Sequence, residues 1–142
     1  MWIDPQSPGL YLGQCAQYCG TQHAKMLLRV YAQSPNDFDA WVAEQRHPAR
    51  ASNVDGQAVF LRNACINCHT IAGTIAKGRF GPDLTHLAGR DTIASGAVQN
   101  TPENLRKWID NPERMKPGCM MPAMHLNDRD LTAVVFYLTT LH

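Results

Sequence analysis

Five residues in the middle of the chain carry the strongest chemical signal. The run Cys65-Ile66-Asn67-Cys68-His69 places two thiols three residues apart, about one helical turn. That spacing lets each thiol form a thioether to one vinyl group of a single haem, and the adjacent imidazole can bind the iron. The alternatives are a chance match and half of a zinc site, for which no second ligand pair stands at finger-like spacing. The motif predicts one covalent haem c on Cys65, Cys68 and His69.

A methionine-rich segment, residues 116–124, is the candidate source of the second iron ligand. Its sequence is KPGCMMPAM. A thioether is a soft, neutral ligand that favours ferrous iron and raises the reduction potential. The segment and its flanks contain five side chains that could bind the iron: Met115, Met120, Met121, Met124 and His125. We expect the methionines that are not ligands to fill an irregular part of the core, and Cys119 to be a free, unreactive thiol.

The same segment resembles the K-P-G-x-x-M-P loop of class I cytochromes c, in which the methionine before the second proline binds the iron. The resemblance selects Met121 as the axial ligand, with Met120 as the runner-up, and it extends over residues 53–142. It implies the helical fold of that family around one haem with His/Met ligation.

Three more residues take roles from this resemblance. Gly81-Pro82-Asp83-Leu84 resembles the family's G-P-x-L loop, in which the proline carbonyl accepts a hydrogen bond from the proximal imidazole. Such a bond would fix the tautomer of His69 and increase its basicity. Arg90 and Trp108 stand where the family contacts the haem propionates, although Arg90 could be a solvated loop charge and Trp108 a core residue.

A second group of potential ligands lies near the N-terminus. Residues 15–26, CAQYCGTQHAKM, contain two thiols, an imidazole and a thioether. This soft set suits copper, and a Cys15–Cys19 disulfide is the alternative. Spacings of four could place the ligands on one helix face, but Gly20-Thr21 and the β-type residues on both sides favour a loop between strands.

This run resembles C-x-E/Q-x-C-G-x-x-H-x-x-M, the binuclear copper (CuA) loop of cytochrome c oxidase subunit II. In that family both cysteines bridge two copper ions, and a histidine, a methionine and a backbone carbonyl complete the set. The resemblance implies these roles for five residues: Cys15, Gln17, Cys19, His23 and Met26. The family's second copper-binding histidine has no counterpart before Cys15. We therefore expect a full-length protein to carry CuA, and this chain to hold it incompletely or not at all.

The elements that must position these residues are mainly helical. A strand-like run covers residues 26–31. Caps and apolar periodicity predict helices over 35–45, 55–68 and 102–111 and from 127 or 128 onward, with an irregular glycine-rich loop over 73–89. By the cytochrome resemblance, Gly56 and Phe60 on the helix over 55–68 lie against Tyr137 and Leu138 of the last helix.

We therefore predict a mainly α protein in two parts. Residues 1–46 would be a remnant of a cupredoxin β-barrel, with strands and one helix, and residues 47–54 a linker. Residues 55–142 would form a class I cytochrome c domain. The N-terminal strands are too few for a cupredoxin core, so we expect them to pack on the haem domain or to pair with a second copy as a homodimer.

Composition excludes several functions. The chain has 142 residues, 13 Lys and Arg against 12 Asp and Glu, and no basic block, which gives a nucleic-acid partner no support. The longest apolar stretch, residues 132–141, is too short to span a bilayer, and the N-terminus lacks the pattern of a secretion signal. We expect a fragment that is soluble, and whose longer parent reaches the membrane only through helices upstream.

Together the two resemblances imply electron transfer from the haem toward CuA, as part of a cytochrome c oxidase subunit II. The expected partners are the oxidase catalytic subunit I and an electron donor such as a soluble cytochrome c, at the periplasmic face of a bacterial inner membrane. The isolated chain should catalyse no bond chemistry. The alternatives are a free-standing soluble cytochrome c with a vestigial tail, and a module for copper delivery or redox sensing.

Overall fold

Helices dominate the computed structural model, which describes residues 2–50 and 52–142. In chain order the helices and strands are β1 (Gly9–Gln14), β2 (Leu27–Ala32), α1 (Pro35–Gln45), α2 (Val54–Arg62), α3 (Cys65–Cys68), β3 (Thr92–Ile93), β4 (Val98–Gln99), α4 (Pro102–Asp110), α5 (Pro112–Met115) and α6 (Asp128–Thr139). Single 3₁₀ turns lie at His23–Lys25 and Leu87–Gly89. None of the described helices is both long and apolar enough to cross a membrane.

The core forms where α2 crosses α6. A Cβ atom on Gly56 would lie 2.1 Å from the Ala133 carbonyl oxygen and 2.5 Å from the Tyr137 Cβ, so the two helices meet backbone to backbone. Beside this contact the rings of Phe60 and Tyr137, both buried, lie 6.1 Å apart. The crossing expected from the cytochrome resemblance is therefore present. It joins a stripe of buried residues along α6: Leu131, Val134, Val135 and Leu138.

Side-chain caps start the helices where the sequence predicts. The Ser34 hydroxyl accepts a hydrogen bond from the Asp37 amide, and Thr101 and Asn127 cap α4 and α6 in the same way. Each cap satisfies a backbone amide that has no partner within its helix. The predicted starts of α1, α4 and α6 are confirmed.

Two helix boundaries differ from the prediction. The helix predicted over 55–68 ends at Arg62, because the Asn63 side chain donates to the Val59 carbonyl at 2.7 Å and its own backbone is extended. The chain then turns and begins α3 at Cys65. The prediction also missed α5: Pro112, which indicated the end of α4, is the first residue of a new helix capped by Asn111.

The N-terminal part is a hairpin, not a closed barrel. β1 and β2 pair antiparallel from Gly9↔Ala32 to Gln14↔Leu27, and the ligand-rich residues 15–26 form the loop between them, as predicted. All six residues of β1 are exposed, and α1 buries none of its residues. The predicted cupredoxin remnant is not confirmed. The mainly helical class applies to residues 54–142.

Among the described residues, hydrogen bonds and close approaches join the hairpin to the helical part. The Leu27 amide donates to the Ser95 carbonyl at 3.1 Å, and the Lys25 Nζ donates to the Met115 carbonyl at 3.1 Å. The Tyr31 hydroxyl donates to Asp91. A Cβ atom on Gly118 would lie 3.2 Å from the Thr21 side chain. The hairpin therefore contacts the cytochrome part through β2 and the loop, which is one of the two expected arrangements, while β1 is exposed.

The helix crossing gives a test of the fold. Replacing a helical glycine with alanine normally stabilises a helix by about 1 kcal/mol. For Gly56→Ala we expect a destabilisation instead, because the new methyl group would meet the backbone of α6. The free energy of unfolding should fall by roughly 1–3 kcal/mol. Urea denaturation measures the change. Gly89→Ala is the control, since nothing lies within 4 Å of its Cβ position; equal stabilities for the two variants would contradict the crossing.

Candidate functional site

Helix α3 holds the two cysteines of the haem motif. Cys65 and Cys68 are its first and last residues, and the His69 amide donates to the Cys65 carbonyl at 2.9 Å, which closes the turn. Both thiols are free and half-buried. Burial raises the pKa of the Cys65 thiol, with a smaller contribution from the neighbouring Cys68. One tight helical turn thus presents two thiols and an imidazole to the same side of the chain.

The His69 ring is oriented by the loop that follows it. Its Nδ1 lies 2.7 Å from the Pro82 carbonyl oxygen. A carbonyl oxygen can only accept, so Nδ1 carries the proton and Nε2 keeps a lone pair for a metal ion. A Cβ atom on Gly81 would lie 2.6 Å from His69 Cε1, so only glycine leaves room for the ring here. The contact that the sequence implies for Pro82 is present.

Glycine is also required at position 78, three residues before Gly81. A Cβ atom on Gly78 would lie 2.5 Å from the Cys68 carbonyl carbon, and the Gly78 amide donates to the His69 carbonyl at 3.1 Å. The Gly81 amide donates to the Cys68 carbonyl at 2.7 Å. These contacts press the glycine-rich loop directly onto the cysteine–histidine segment. The glycine-rich composition of this loop is visible in the sequence, but no sequence pattern predicts that Gly78 and Gly81 contact the cysteine–histidine segment.

A cavity of about 670 Å³ opens on this segment. Its lining includes Cys65, Cys68 and His69, and three of the five candidate second ligands, Met120, Met121 and Met124. Met115 and His125 are not in the lining. Met121 and Met124 are half-buried against the core, whereas Met120 is 76% exposed. The arrangement favours Met121 or Met124 over Met120 as an inward-facing ligand, and only Met121 precedes a proline.

The two residues suggested for the propionates also line the cavity. Trp108 packs partly buried against the core, and the Arg90 guanidinium donates to the Asp83 carbonyl. Desolvation lowers the pKa of Arg90. A guanidinium group in a protein remains charged even when it is desolvated in this way. Arg90 therefore offers a positive charge to an anionic group in the cavity, and Trp108 contributes to both the core and the cavity wall.

The residues around this cavity fit a covalent haem. Two thiols one turn apart, an imidazole with a free Nε2 and a thioether all line one space whose walls also include Leu84, Leu105 and Leu138. The volume lies within the range of pockets that bury a small cofactor, about 300–1,000 Å³. Soft and imidazole ligands with a largely apolar surround are the donor set of a low-spin haem with a raised potential.

The N-terminal ligands form a second, separate cluster. The Sγ atoms of Cys15 and Cys19 are 3.4 Å apart and not bonded, and Cys19 Sγ lies 3.7 Å from His23 Nδ1. One ligand atom from each of these residues lies within 4.8 Å of the other two. The hydrogen bond with Cys15 raises the pKa of the Cys19 thiol, followed by desolvation and the charge of Cys15. This geometry fits a single metal ion of soft character.

The two remaining copper candidates lie at the edges of this cluster. The Gln17 carbonyl accepts a hydrogen bond from the Cys15 thiol at 3.1 Å, so this carbonyl already points toward the thiols. The Met26 carbonyl accepts from the Cys15 amide at 3.0 Å, and its side chain is 37% exposed. Met26 thus closes the loop through its backbone.

Sequence reasoning missed a turn in the cavity wall and a buried lysine that is hydrogen-bonded to this turn. Ala94, Ser95 and Gly96, three successive residues with φ of 57°, 59° and 80°, form the turn between β3 and β4 and line the cavity. Lys116 is only 4% exposed, and its Nζ donates to the Ser95 hydroxyl at 2.9 Å. Gly96 is a residue type that favours a positive φ, but nothing in the sequence indicates the positive φ values of Ala94 and Ser95. A lysine in a K-P-G loop normally indicates surface.

Comparisons with known proteins agree with this geometry. A family model described as "Cytochrome c" matches residues 54–142. The chain is 37% identical to "Cytochrome c oxidase subunit 2" of Alkalihalophilus pseudofirmus over an alignment of 146 positions, which covers 99% of this chain and 42% of that protein. It is 33% identical to the protein of the same name from Bacillus sp. strain PS3, over 94% of this chain and 40% of that protein.

A third relative matches a smaller part of the chain. A nitric oxide reductase subunit from Paracoccus denitrificans is 33% identical over 92 residues, 61% of this chain and 57% of that protein. The chain spans about two fifths of the length of the two oxidase subunits. The family match covers most of the chain and every residue in the cavity lining. The chain therefore belongs to the cytochrome c family.

Proposed function

We propose that the chain transfers single electrons through one haem c, bound covalently by Cys65 and Cys68 with His69 and Met121 as axial ligands. Membership of the cytochrome c family supports haem c as the cofactor. The observation that carries the ligand set is the shared cavity, which has the two thiols, the oriented imidazole and Met121 in its lining. When bound, the haem iron alternates between ferric and ferrous states.

The residues of this chain would orient the haem and set its potential. Pro82 holds the proton on His69 Nδ1, so Nε2 is the atom available to the iron. Apolar side chains exclude water from the cavity, which disfavours the more highly charged ferric form. We assign Arg90 and Trp108 to the propionates, because both line the cavity and Arg90 remains charged there.

The relatives support an oxidase as the setting of this electron transfer. Two of them are named cytochrome c oxidase subunit 2 and align with nearly the whole chain. On this basis we propose a longer protein in which residues 1–46 belong to a CuA domain, 47–54 to a linker and 55–142 to the cytochrome domain. It would accept electrons from a donor such as a soluble cytochrome c and pass them through CuA to the catalytic subunit I, at the periplasmic face of the membrane.

The copper part of this proposal rests on the N-terminal cluster. The ligand atoms of Cys15, Cys19 and His23 already lie within 4.8 Å of one another, and the Gln17 carbonyl accepts a hydrogen bond from the Cys15 thiol. Met26 would complete the set. A role in copper delivery or redox sensing would use the same two thiols without the haem, and a free-standing cytochrome would use the haem without the thiols. The full-length reading frame and its gene neighbours distinguish these possibilities.

The axial ligand can be tested by replacing the adjacent methionines one at a time. Met121→Ala should remove the low-spin His/Met spectrum and lower the reduction potential by on the order of 100 mV or more, because axial ligands set potentials over about 0.8 V. Met120→Ala is the matched control, since Met120 is mostly exposed. Optical spectra and redox titration of the haem-loaded protein measure both. If only Met120→Ala loses the His/Met spectrum, Met121 is not the ligand.

Copper titration tests the N-terminal cluster. We expect fewer than two copper ions per chain and no purple mixed-valence species, because copper sites need ligands fixed by a rigid surround and these lie on a two-stranded, exposed hairpin. Visible and electron paramagnetic resonance spectra report the outcome. Cys19→Ser is the control, and this variant should bind no copper at the cluster. A purple two-copper species would show that these five residues are sufficient for CuA.

A further inference from the structure

Lys116 is a buried cation with no anionic partner in the described structure. The residue is 4% exposed, and its ammonium group donates a hydrogen bond to the Ser95 hydroxyl at 2.9 Å. None of the carboxylates that the structure describes lies within 4.0 Å of the Lys116 Nζ. Burial lowers the pKa of this ammonium group. A buried charge is costly unless something compensates it, so a compensating group is expected nearby.

Ser95 connects this ammonium group to the haem cavity. Its hydroxyl accepts from Lys116 and therefore has its own proton to donate, and the residue is part of the cavity lining. Arg90 lies in the same lining. One cation, Arg90, thus lines the cavity directly. A second cation, Lys116, is connected to the cavity through the Ser95 hydroxyl.

The turn that carries Ser95 is held in an unfavourable conformation. Ala94 and Ser95 have φ values of 57° and 59°, which cost non-glycine residues free energy and persist only where surrounding contacts enforce them. Two such contacts are present: the Lys116 ammonium binds the Ser95 hydroxyl, and the Leu27 amide binds the Ser95 carbonyl. Strained residues of this kind are concentrated at sites that hold ligands.

We propose that Lys116 is a positioning residue of the haem site, which holds the Ser95 hydroxyl at the cavity wall and supplies a buried positive charge there that favours the reduced haem. The proposal rests on the proposed haem function. The haem carries two propionate groups, so an anion at this wall would compensate the ammonium charge. A positive charge near the iron destabilises ferric relative to ferrous haem, because the ferric form has the additional positive charge. The buried position protects this effect from screening by salt.

The test compares midpoint potentials of haem-loaded variants. The ratio of ferrous to ferric haem is measured at an ambient potential equal to the wild-type midpoint. In Lys116→Met this ratio should fall roughly three- to tenfold. A tenfold fall corresponds to a midpoint lower by 59 mV for a one-electron couple. Ser95→Ala should shift the ratio in the same direction by less, and Lys116→Arg should restore most of it. Lys77→Met is the control: it removes the same charge from an exposed residue and should change the ratio less than about 1.5-fold.

The optical spectrum separates a charge effect from a structural one. The His/Met spectrum should be unchanged in Lys116→Met; its loss would mean that the lysine only supports the ligand loop, and would overturn the proposal. A ratio equal to that of Lys77→Met would also overturn it. Should Lys116→Met fail to fold, Ser95→Ala decides, with an unchanged ratio counting against the proposal. Mass spectrometry of the wild-type protein tests the proposed function separately. If the mass shows no covalently attached haem, the proposed function itself is refuted.

Discussion

The hydrogen bond from His69 Nδ1 to the Pro82 carbonyl sets the orientation of the imidazole, and the contacts of the loop around it hold this bond in place. The loop between these two residues is held to the cysteine segment by the Gly78 and Gly81 amides. The Thr85 hydroxyl, buried beneath it, accepts from the Ala72 amide at 2.9 Å and so ties the two ends of the loop together. A larger residue at either glycine would displace the imidazole or the helical turn before it.

The sequence predicts the parts of this site that depend on local chemistry. The CxxCH spacing, the proline after Met121 and the helix caps at Ser34 and Thr101 each have a physical meaning within a few residues. The two caps are present as predicted, and the CxxCH motif and Met121 line one cavity, while their roles as haem ligands stay predictions. The parts that depend on distant contacts were not predictable. Nothing near Ser95 indicates that a lysine 21 residues later binds its hydroxyl.

The errors have the same cause. The break at Asn63 results from a side-chain amide that competes with the helix for a backbone carbonyl, which periodicity does not reveal. Pro112 can end one helix or begin the next, and only the position of Asn111 as a cap decides between the two. The N-terminal strands were expected from their β-type residues, but whether two strands belong to a larger sheet is not encoded in the strands themselves.

The contacts between the hairpin and the cytochrome part have a consequence for kinetics. Leu27 is bonded to the turn beside the cavity, and Lys25 and Thr21 lie against the segment that leads to Met121. The two clusters of candidate metal ligands are thus parts of one molecule and are joined by these contacts. Electrons exchanged between them would need no diffusional encounter, so the rate would be independent of protein concentration and nearly insensitive to ionic strength. Delivery by a separate, charged donor would slow or accelerate with salt.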